Sequence, residues 1–96
     1  MGKEIKWAPQ ADSSFDNILT YLETEWSIGI SKSFHDETFN RLLQIIHYPE
    51  IGIQSLTVPS WRKILITKHN ILVYRIDGDK ISILNIIDTR SSTYTI

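Results

Sequence analysis

The chain of 96 residues is long enough for one domain and too short for a catalytic domain joined to a regulatory one. Hydrophobic residues make up 42% of it and charged residues 22%, which is typical of a folded protein rather than a disordered one. The absence of cysteine excludes disulfides and thiolate metal sites, and no run of about 18 apolar residues predicts a transmembrane helix. Because residues 1–10 also lack the apolar core of a secretory signal, we expect a single cytoplasmic domain over residues 1–96, without membrane contact.

The net charge of −1 conceals an uneven distribution along the chain. Residues 1–50 contain four basic and eight acidic residues, whereas residues 51–96 contain six basic and three acidic ones. The C-terminal half is therefore basic, which favours an anionic partner for that half of the molecule.

The first third of the chain carries the patterns of a strand and a helix. Ile5 and Trp7 alternate with polar residues over 3–8, which predicts a short strand. Pro9 suits the first turn of a helix, where its missing N–H leaves no bond unmade. The apolar residues that follow recur with helical spacing, at Ala11, Phe15, Ile18, Leu19, Leu22 and Trp26.

Ser27 is the predicted N-cap of a second helix. This helix should end near His47 and Tyr48, because Pro49 disfavours helical geometry in the residue before it. Its predicted buried stripe consists of Ile30, Phe34, Leu42, Ile45 and Ile46, widened by Phe39 and Leu43. Since the connection between the two helices is short, we expect an antiparallel helical hairpin.

After Gly52 the pattern becomes alternating, which is typical of strands. Segment 53–58 is a predicted strand ended by Pro59, and the segments 61–68, 71–77 and 80–88 are three longer ones. His69-Asn70 and Gly78-Asp79 are the predicted tight turns, which make the joined strands antiparallel. The sequence thus predicts an α+β, two-layer domain. An N-terminal strand and a helical hairpin precede a three- to four-stranded antiparallel sheet, which has one face on the hairpin and the other in water.

Motifs for metal, phosphate-loop or serine hydrolase chemistry do not occur in the sequence. His35 and His47 are too far apart for a metal pair on neighbouring turns of a helix, and cysteine ligands are missing. The patterns GxxxxGK[ST], GxGxxG and GxSxG are absent as well. We therefore expect no cofactor and no metal.

Basic residues on or beside the predicted strands are the most informative group. They are Arg62, Lys63, Lys68, Arg75 and Arg90. Each one alone is typical of a solvated sheet surface, but together they predict a cationic open face for phosphates or for an acidic segment of another protein. Trp61 and Tyr94 lie near this set and could stack on bases, although a place at the edge of the core is the stronger interpretation of Trp61. Residue types alone leave an enzyme and a binding module both open.

Several segments of the chain resemble toxins of the RelE/ParE superfamily. They are WAPQA at 7–11, Asp16, Ile18, Tyr21-Leu22, Trp26-Ser27, PEIG at 49–52, RKILITKHN at 62–70, YRI at 74–76 and ILNIIDTR at 83–90. The resemblance covers nearly the whole chain and agrees with the predicted order of elements. It implies a RelE/ParE-like fold and the toxin of a type II toxin–antitoxin module, also called a plasmid stabilisation protein. Such a toxin inhibits growth and is neutralised by an antitoxin whose C-terminal segment wraps around it.

The resemblance implies one of two activities. RelE-like toxins enter the ribosomal A site and cut mRNA, by attack of a ribose 2′-hydroxyl on the adjacent phosphate, whereas ParE-like toxins poison DNA gyrase. If the chain is a nuclease, the resemblance implies that Arg62 and Arg90 match the catalytic arginines and that Lys68 is the candidate second cation. Tyr94 stands near the place of a catalytic tyrosine, although its spacing from Arg90 departs from the family pattern. Asp88 stands where some nucleases carry a cation or histidine, and the net charge of −1 gives little attraction to ribosomal RNA. We therefore favour a ParE-like toxin that binds gyrase, with a ribosome-dependent mRNA endonuclease as the alternative.

A non-toxic interaction domain is the third interpretation, because sites rather than folds decide function. For a toxin, the expected partner-binding residues are Trp61, Arg62, Lys63, Arg75 and Arg90. Their positive charges suit acidic residues of an antitoxin. The resemblance is compatible with a homodimer and with a toxin–antitoxin hetero-oligomer.

Overall fold

In the computed structural model, which describes residues 3–90, two helices lie against one face of a five-stranded sheet. The helices are α1 (Pro9–Glu25) and α2 (Ile28–His47), and a 3-10 turn (Pro49–Ile51) follows α2. The strands are β1 (Glu4–Trp7), β2 (Ile53–Gln54), β3 (Trp61–Thr67), β4 (Asn70–Asp77) and β5 (Lys80–Asp88). The predicted α+β architecture is confirmed. Within residues 3–90, neither helix is long and apolar enough to cross a membrane.

The sheet has the strand order β1-β5-β4-β3-β2. Its consecutive strands β2 to β5 pair antiparallel, as the tight turns predict. β1 adds a fifth strand, parallel to β5, with Ile5 opposite Ile81 and Trp7 opposite Ile83. Parallel strands need a long connection between them. The helical hairpin, which lies between β1 and the other strands in the sequence, provides it.

The core lies between the helical hairpin and the sheet. Its buried members are Ala11, Phe15, Phe34, Leu42 and Ile45 from the helices and Ile66, Leu72, Tyr74, Ile81, Ile83 and Ile86 from the strands. On the opposite face, Ile71 and Val73 are also buried, although this face was expected to be solvated. Both belong to β4, the central strand of the sheet. Side chains of the strands on either side therefore cover them.

The helix ends are set by the local chemistry that the sequence indicates. The Ser27 hydroxyl accepts a hydrogen bond from the N–H of Ile30 at 3.1 Å, which confirms Ser27 as the N-cap of α2. The helix ends at His47, one residue before the position that Pro49 restricts.

The predicted buried stripes of the helices are too wide. Trp26 is 70% exposed, Leu43 55%, Ile30 47% and Phe39 42%. Trp26 lies just beyond the last turn of α1, and the other three flank the line along which α2 meets the sheet. In a two-layer domain only one side of each helix is covered, so flanking apolar residues stay in contact with water.

Two local predictions in the second half also need correction. The β3–β4 turn consists of Lys68 and His69, whereas Asn70 already begins β4. Among residues 3–90 a positive φ occurs at Gly78 alone, with a value of 62°, so the β3–β4 turn contains no left-handed residue. β2 is shorter than predicted because the Ser55 hydroxyl accepts from the N–H groups of Thr57 and Val58 and turns the chain.

Candidate functional site

The alternation of side chains along β3 divides its basic residues between two faces of the sheet. Arg62 pairs with Tyr74 and therefore lies on the face that carries the helices. Lys63 pairs with Val73, and Trp61 pairs with Arg75, on the opposite face. The prediction of one cationic face that includes Arg62 is therefore wrong, since neighbouring strand residues point to opposite faces.

Arg62 and Tyr74 hold the segment that follows α2 against the sheet. Arg62 Nη1 donates to the carbonyl of Gly52 at 2.8 Å and to that of Glu50 at 3.3 Å. The Tyr74 hydroxyl donates to the carbonyl of Pro49 at 2.6 Å and accepts from the N–H of Gly52 at 2.9 Å. Burial raises the pKa of Tyr74, which keeps this hydroxyl able to donate and accept at once. Its two hydrogen bonds, beside the two of Tyr74, give Arg62 a structural role, as a clamp on the backbone.

The open face carries an ion pair at the end of β4. Arg75 Nε donates to Asp77 Oδ1 at 2.8 Å, and the Ser82 hydroxyl donates to the other oxygen of the same carboxylate at 2.7 Å. The hydrogen bond from Arg75 is the main cause that lowers the pKa of Asp77, so the carboxylate stays charged beside the guanidinium. The charge of Arg75 is thus balanced within the sheet.

Lys68, His69 and Arg90 lie together at the end of the sheet away from Arg62. Lys68 and His69 form the β3–β4 turn, and the His69 carbonyl accepts from the N–H of Thr89 at 2.9 Å. Lys68 lies six positions after Arg62, just beyond the end of β3, which corresponds to about 20 Å. The predicted cations therefore form two separate groups rather than one site. Tyr94 lies outside the described residues.

Arg90 is bound by the carboxylate of Asp88 in a bidentate pair. Its Nε donates to Oδ1 at 3.0 Å and its Nη2 donates to Oδ2 at 2.9 Å, while its backbone N–H donates to Oδ1 at 2.8 Å. The side-chain hydrogen bonding from Arg90 is the main cause that lowers the pKa of Asp88, and the bond from its backbone N–H is the second. Asp88, an acid where a phosphate-binding site would suit a cation, thus neutralises the C-terminal arginine directly.

Replacing Asp88 with asparagine is expected to lower the stability by less than about 1 kcal/mol near neutral pH, because the pair is largely exposed. Because the pKa of Asp88 is lowered in the folded state, the pair stabilises the fold at pH values above 3.8, the ordinary pKa of an aspartate. This contribution is lost as the pH falls through the lower pKa of the folded state. Urea unfolding of the wild type and Asp88→Asn from neutral to strongly acidic pH should therefore give curves that converge at low pH. The exposed Asp16→Asn on α1 serves as control, and a difference for Asp88→Asn that is independent of pH would contradict this assignment.

A groove of about 470 Å³ lies beside Arg90, between the helix tips and the strand ends. It is lined by Tyr21, Leu22, Trp26, Ile30, Ser33, Phe34, Glu37, Thr67, His69, Asn70 and Arg90. Trp26 and Tyr21 are more than half exposed here. Sequence reasoning missed this surface because helical spacing assigned both the tryptophan and Ile30 to the core.

A second groove, of about 400 Å³, lies at the outer edge of β3. It is lined by Arg41, Ile51, Ile53, Lys63, Ile64, Leu65 and Ile71. The exposed fractions of Ile53 and Leu65 are 71% and 51%, which leaves much of the groove apolar and open to water. Within residues 3–90 no group of three histidine or carboxylate residues is arranged to hold a metal ion.

Comparisons with known proteins agree with this fold. Residues 5–92 match a family model described as the ParE toxin of type II toxin–antitoxin system, parDE. The structure is similar to a chain of the chromosomal ParDE toxin–antitoxin system from P. aeruginosa, with a TM-score of 0.75 and 17% identity over 90% of this chain and 95% of that one. No match to a curated protein was found.

Two further solved structures share the fold. The YoeB/ParE toxin from Agrobacterium tumefaciens has a TM-score of 0.66 and 12% identity, over 88% of this chain and 96% of that one. A YoeB dimer from Staphylococcus aureus has a TM-score of 0.67 and 16% identity, over 95% and 100% of the two chains. Identities this low show a common architecture and nothing more specific. Because the family model spans almost the whole sequence, however, the chain belongs to the ParE toxins of type II toxin–antitoxin systems.

Proposed function

We propose that this toxin inhibits growth without cleaving RNA, by binding DNA gyrase in the cytoplasm, and that a cognate antitoxin neutralises it. The observation that carries the proposal is the separation of the basic side chains into two groups. Arg62, near the start of β3, is about 20 Å from Lys68 in the turn that follows this strand. RNA cleavage by a 2′-hydroxyl needs a base, a cation and an acid around one phosphate, and these two residues cannot reach the same phosphate.

The partners of the arginines support the same conclusion. Arg62 donates to backbone carbonyls, and Arg90 is neutralised by Asp88. Using either guanidinium to stabilise a pentacovalent phosphate would require these hydrogen bonds to be broken first. The net charge of −1 adds little attraction to the phosphates of the ribosome. A protein target is compatible with all three features.

The proposal is tested by adding the purified toxin to gyrase that is supercoiling a relaxed plasmid. We expect inhibition at a molar excess of toxin, and recovery when the cognate antitoxin is mixed with the toxin beforehand. The same preparation should leave mRNA intact in a translating extract. Undiminished supercoiling at a large excess of folded toxin would overturn the gyrase assignment.

A ribosome-dependent mRNA endonuclease is the second candidate, and the groove beside Arg90 is the observation that favours it. This groove combines a histidine and an arginine with the exposed rings of Tyr21 and Trp26, on which bases could stack. If the toxin cuts mRNA in translating ribosomes, Arg90→Ala should abolish the cleavage. Arg75→Ala is the matched control, because Arg75 also pairs with an aspartate two residues away.

Neutralisation by an antitoxin is proposed from the family and from the exposed apolar surface. Co-expression with the product of a neighbouring short reading frame should restore growth and yield a complex on purification. Size measurements on the free toxin and the complex separate a toxin homodimer from a toxin–antitoxin hetero-oligomer. Harmless expression of the folded chain without any antitoxin would instead favour a non-toxic interaction domain.

A further inference from the structure

The tip of the helical hairpin exposes two large aromatic side chains in one groove. Trp26 is 70% exposed and Tyr21 is 56% exposed, and both line the groove beside Arg90. Tryptophan, tyrosine and arginine are the residue types that contribute most often to the binding energy of protein–protein interfaces. All three line this groove, and the exposed side chain of Ile30 adds to its apolar surface. The composition is therefore that of an interface rather than of an ordinary solvated surface.

Hydrogen bonds fix the helical wall of this groove. The backbone N–H groups of Trp26 and Ser27 both donate to the carbonyl of Leu22 at 3.0 Å, which closes the end of α1. The Ser31 hydroxyl donates to the Leu19 carbonyl at 3.0 Å and so joins α2 to α1. The aromatic rings are therefore carried by a backbone that is ordered before any partner binds.

The wall on the side of the sheet is fixed in a similar way. The Thr67 hydroxyl donates to Asn70 Oδ1 at 3.0 Å and accepts from the N–H of His69 at 3.2 Å. The N–H of Thr89 donates to the His69 carbonyl at 2.9 Å, which joins the end of β5 to the β3–β4 turn. Since neither wall has to fold, the entropy lost on binding a partner here is small.

The carboxylates at this groove favour a protein partner over a nucleic acid. Asp88 already neutralises Arg90, and Glu37 also lines the groove. None of the ion pairs within residues 3–90 includes Glu37, so its charge is open to a partner. Phosphates are attracted by an excess of positive charge, which these two carboxylates offset. A lysine or arginine of a protein would instead find a counter-ion in Glu37.

We propose that the groove beside Arg90 is the surface by which the toxin binds gyrase. An apolar side chain of the target packs on the rings of Tyr21 and Trp26, while a lysine or arginine next to it pairs with Glu37. The rings supply most of the affinity, because an aromatic side chain that becomes buried removes a large apolar area from water. Glu37 selects a basic segment of the target. The inference rests on the proposed inhibition of gyrase.

The far end of α2 provides a matched surface for comparison. Tyr48 is the C-cap of α2 as Trp26 is the C-cap of α1, and both side chains are 70% exposed. Because α2 is 20 residues long, about 30 Å separates the two positions. The groove that Tyr48 lines has neither a tryptophan nor an arginine among its described lining residues. Tyr48 therefore serves as a control for the loss of an exposed aromatic ring.

Two alanine variants test the location of the gyrase surface. For Trp26→Ala, the toxin concentration that halves supercoiling should rise at least about tenfold, whereas for Tyr48→Ala it should change less than about twofold. Circular dichroism establishes that both variants are folded. Inhibition by folded Trp26→Ala equal to that of the wild type, or equal losses in the two variants, would overturn this inference and leave the inhibition of gyrase standing. A wild type that does not inhibit gyrase would remove both.

Reversal of one charge tests the kind of segment that binds. Glu37→Lys should raise the Kd for gyrase at least about fivefold, because a basic segment would then meet a like charge. Glu23→Lys changes the net charge equally at an exposed position of α1 that does not line the groove, and its Kd should change less than about twofold. Equal effects of the two variants, or tighter binding by Glu37→Lys, would overturn the proposal.

Other occupants of the groove would give different results with the same Trp26→Ala variant. Loss of mRNA cleavage in a translating extract would assign the groove to RNA. A weaker complex with the antitoxin, at unchanged inhibition of gyrase, would assign it to the antitoxin. Conversion of a wild-type dimer to a monomer in sedimentation, again at unchanged inhibition, would assign it to a second copy of the chain. Each of these results would overturn the proposal.

Discussion

Replacing Gly52 with alanine is expected to lower the free energy of unfolding by about 1–3 kcal/mol. A Cβ atom there would lie 2.6 Å from the Tyr74 hydroxyl oxygen, 2.7 Å from Cε1 of the same ring and 3.0 Å from the Lys63 carbonyl. Neither neighbour can withdraw easily, because Tyr74 is fully buried and bonded to Pro49, and the carbonyl belongs to the backbone of β3. The φ of −71° at Gly52 is open to alanine, so the loss arises from crowding alone.

Gly29 provides a control of opposite sign. An added Cβ at this position would meet only the Ser27 hydroxyl, at 3.7 Å. Gly29→Ala should therefore raise the stability, by up to about 1 kcal/mol, because alanine has the higher helix propensity. Urea unfolding of both variants and the wild type measures the two changes. A Gly52→Ala protein as stable as the wild type would contradict the crowding at Tyr74.

The elements themselves could be predicted from signals within a few residues of each boundary. Ser27 and Pro49 bound α2, and Gly78 provides the positive φ that the β4–β5 turn requires. Capping, the restriction before proline and the freedom of glycine act through neighbouring atoms of the chain. For this reason a sequence is sufficient to place such boundaries.

The extent of burial could not be predicted in the same way. Helical spacing assigns Trp26, Ile30 and Leu43 to the apolar side, and all three are exposed. Spacing identifies the residues that share one side of a helix, but the width covered depends on what packs against that side. Here a single sheet covers the helices, and the remaining apolar surface forms part of the grooves.

The contacts of the candidate site could not be predicted without the register of the strands across the sheet. That Arg62 and Lys63 lie on opposite faces follows from alternation alone, so the sequence contains this signal. The bonds from Arg62 to the 3-10 turn depend on the pairing of β3 with β4, which brings Tyr74 to the same place. Contacts between segments so distant in sequence depend on the complete fold.

Replacing Arg62 with alanine tests whether the residue is a structural clamp or a catalytic cation. The variant loses the 2.8 Å bond to the Gly52 carbonyl and the longer bond to Glu50, and its stability should fall by about 1–3 kcal/mol. Arg75→Ala is the control, since it breaks an exposed ion pair and should lose less than about 1 kcal/mol. Urea unfolding of the two variants measures the difference.

Growth inhibition then distinguishes the two roles of Arg62. At a temperature where circular dichroism shows Arg62→Ala to be fully folded, we expect it to remain toxic and to inhibit gyrase, because the clamp acts only through the stability of the fold. A catalytic cation behaves differently, since its removal abolishes toxicity while the protein is still folded. A folded and inactive Arg62→Ala would therefore contradict the structural role and favour the endonuclease, whereas toxicity that follows the folded fraction supports a toxin that acts by binding.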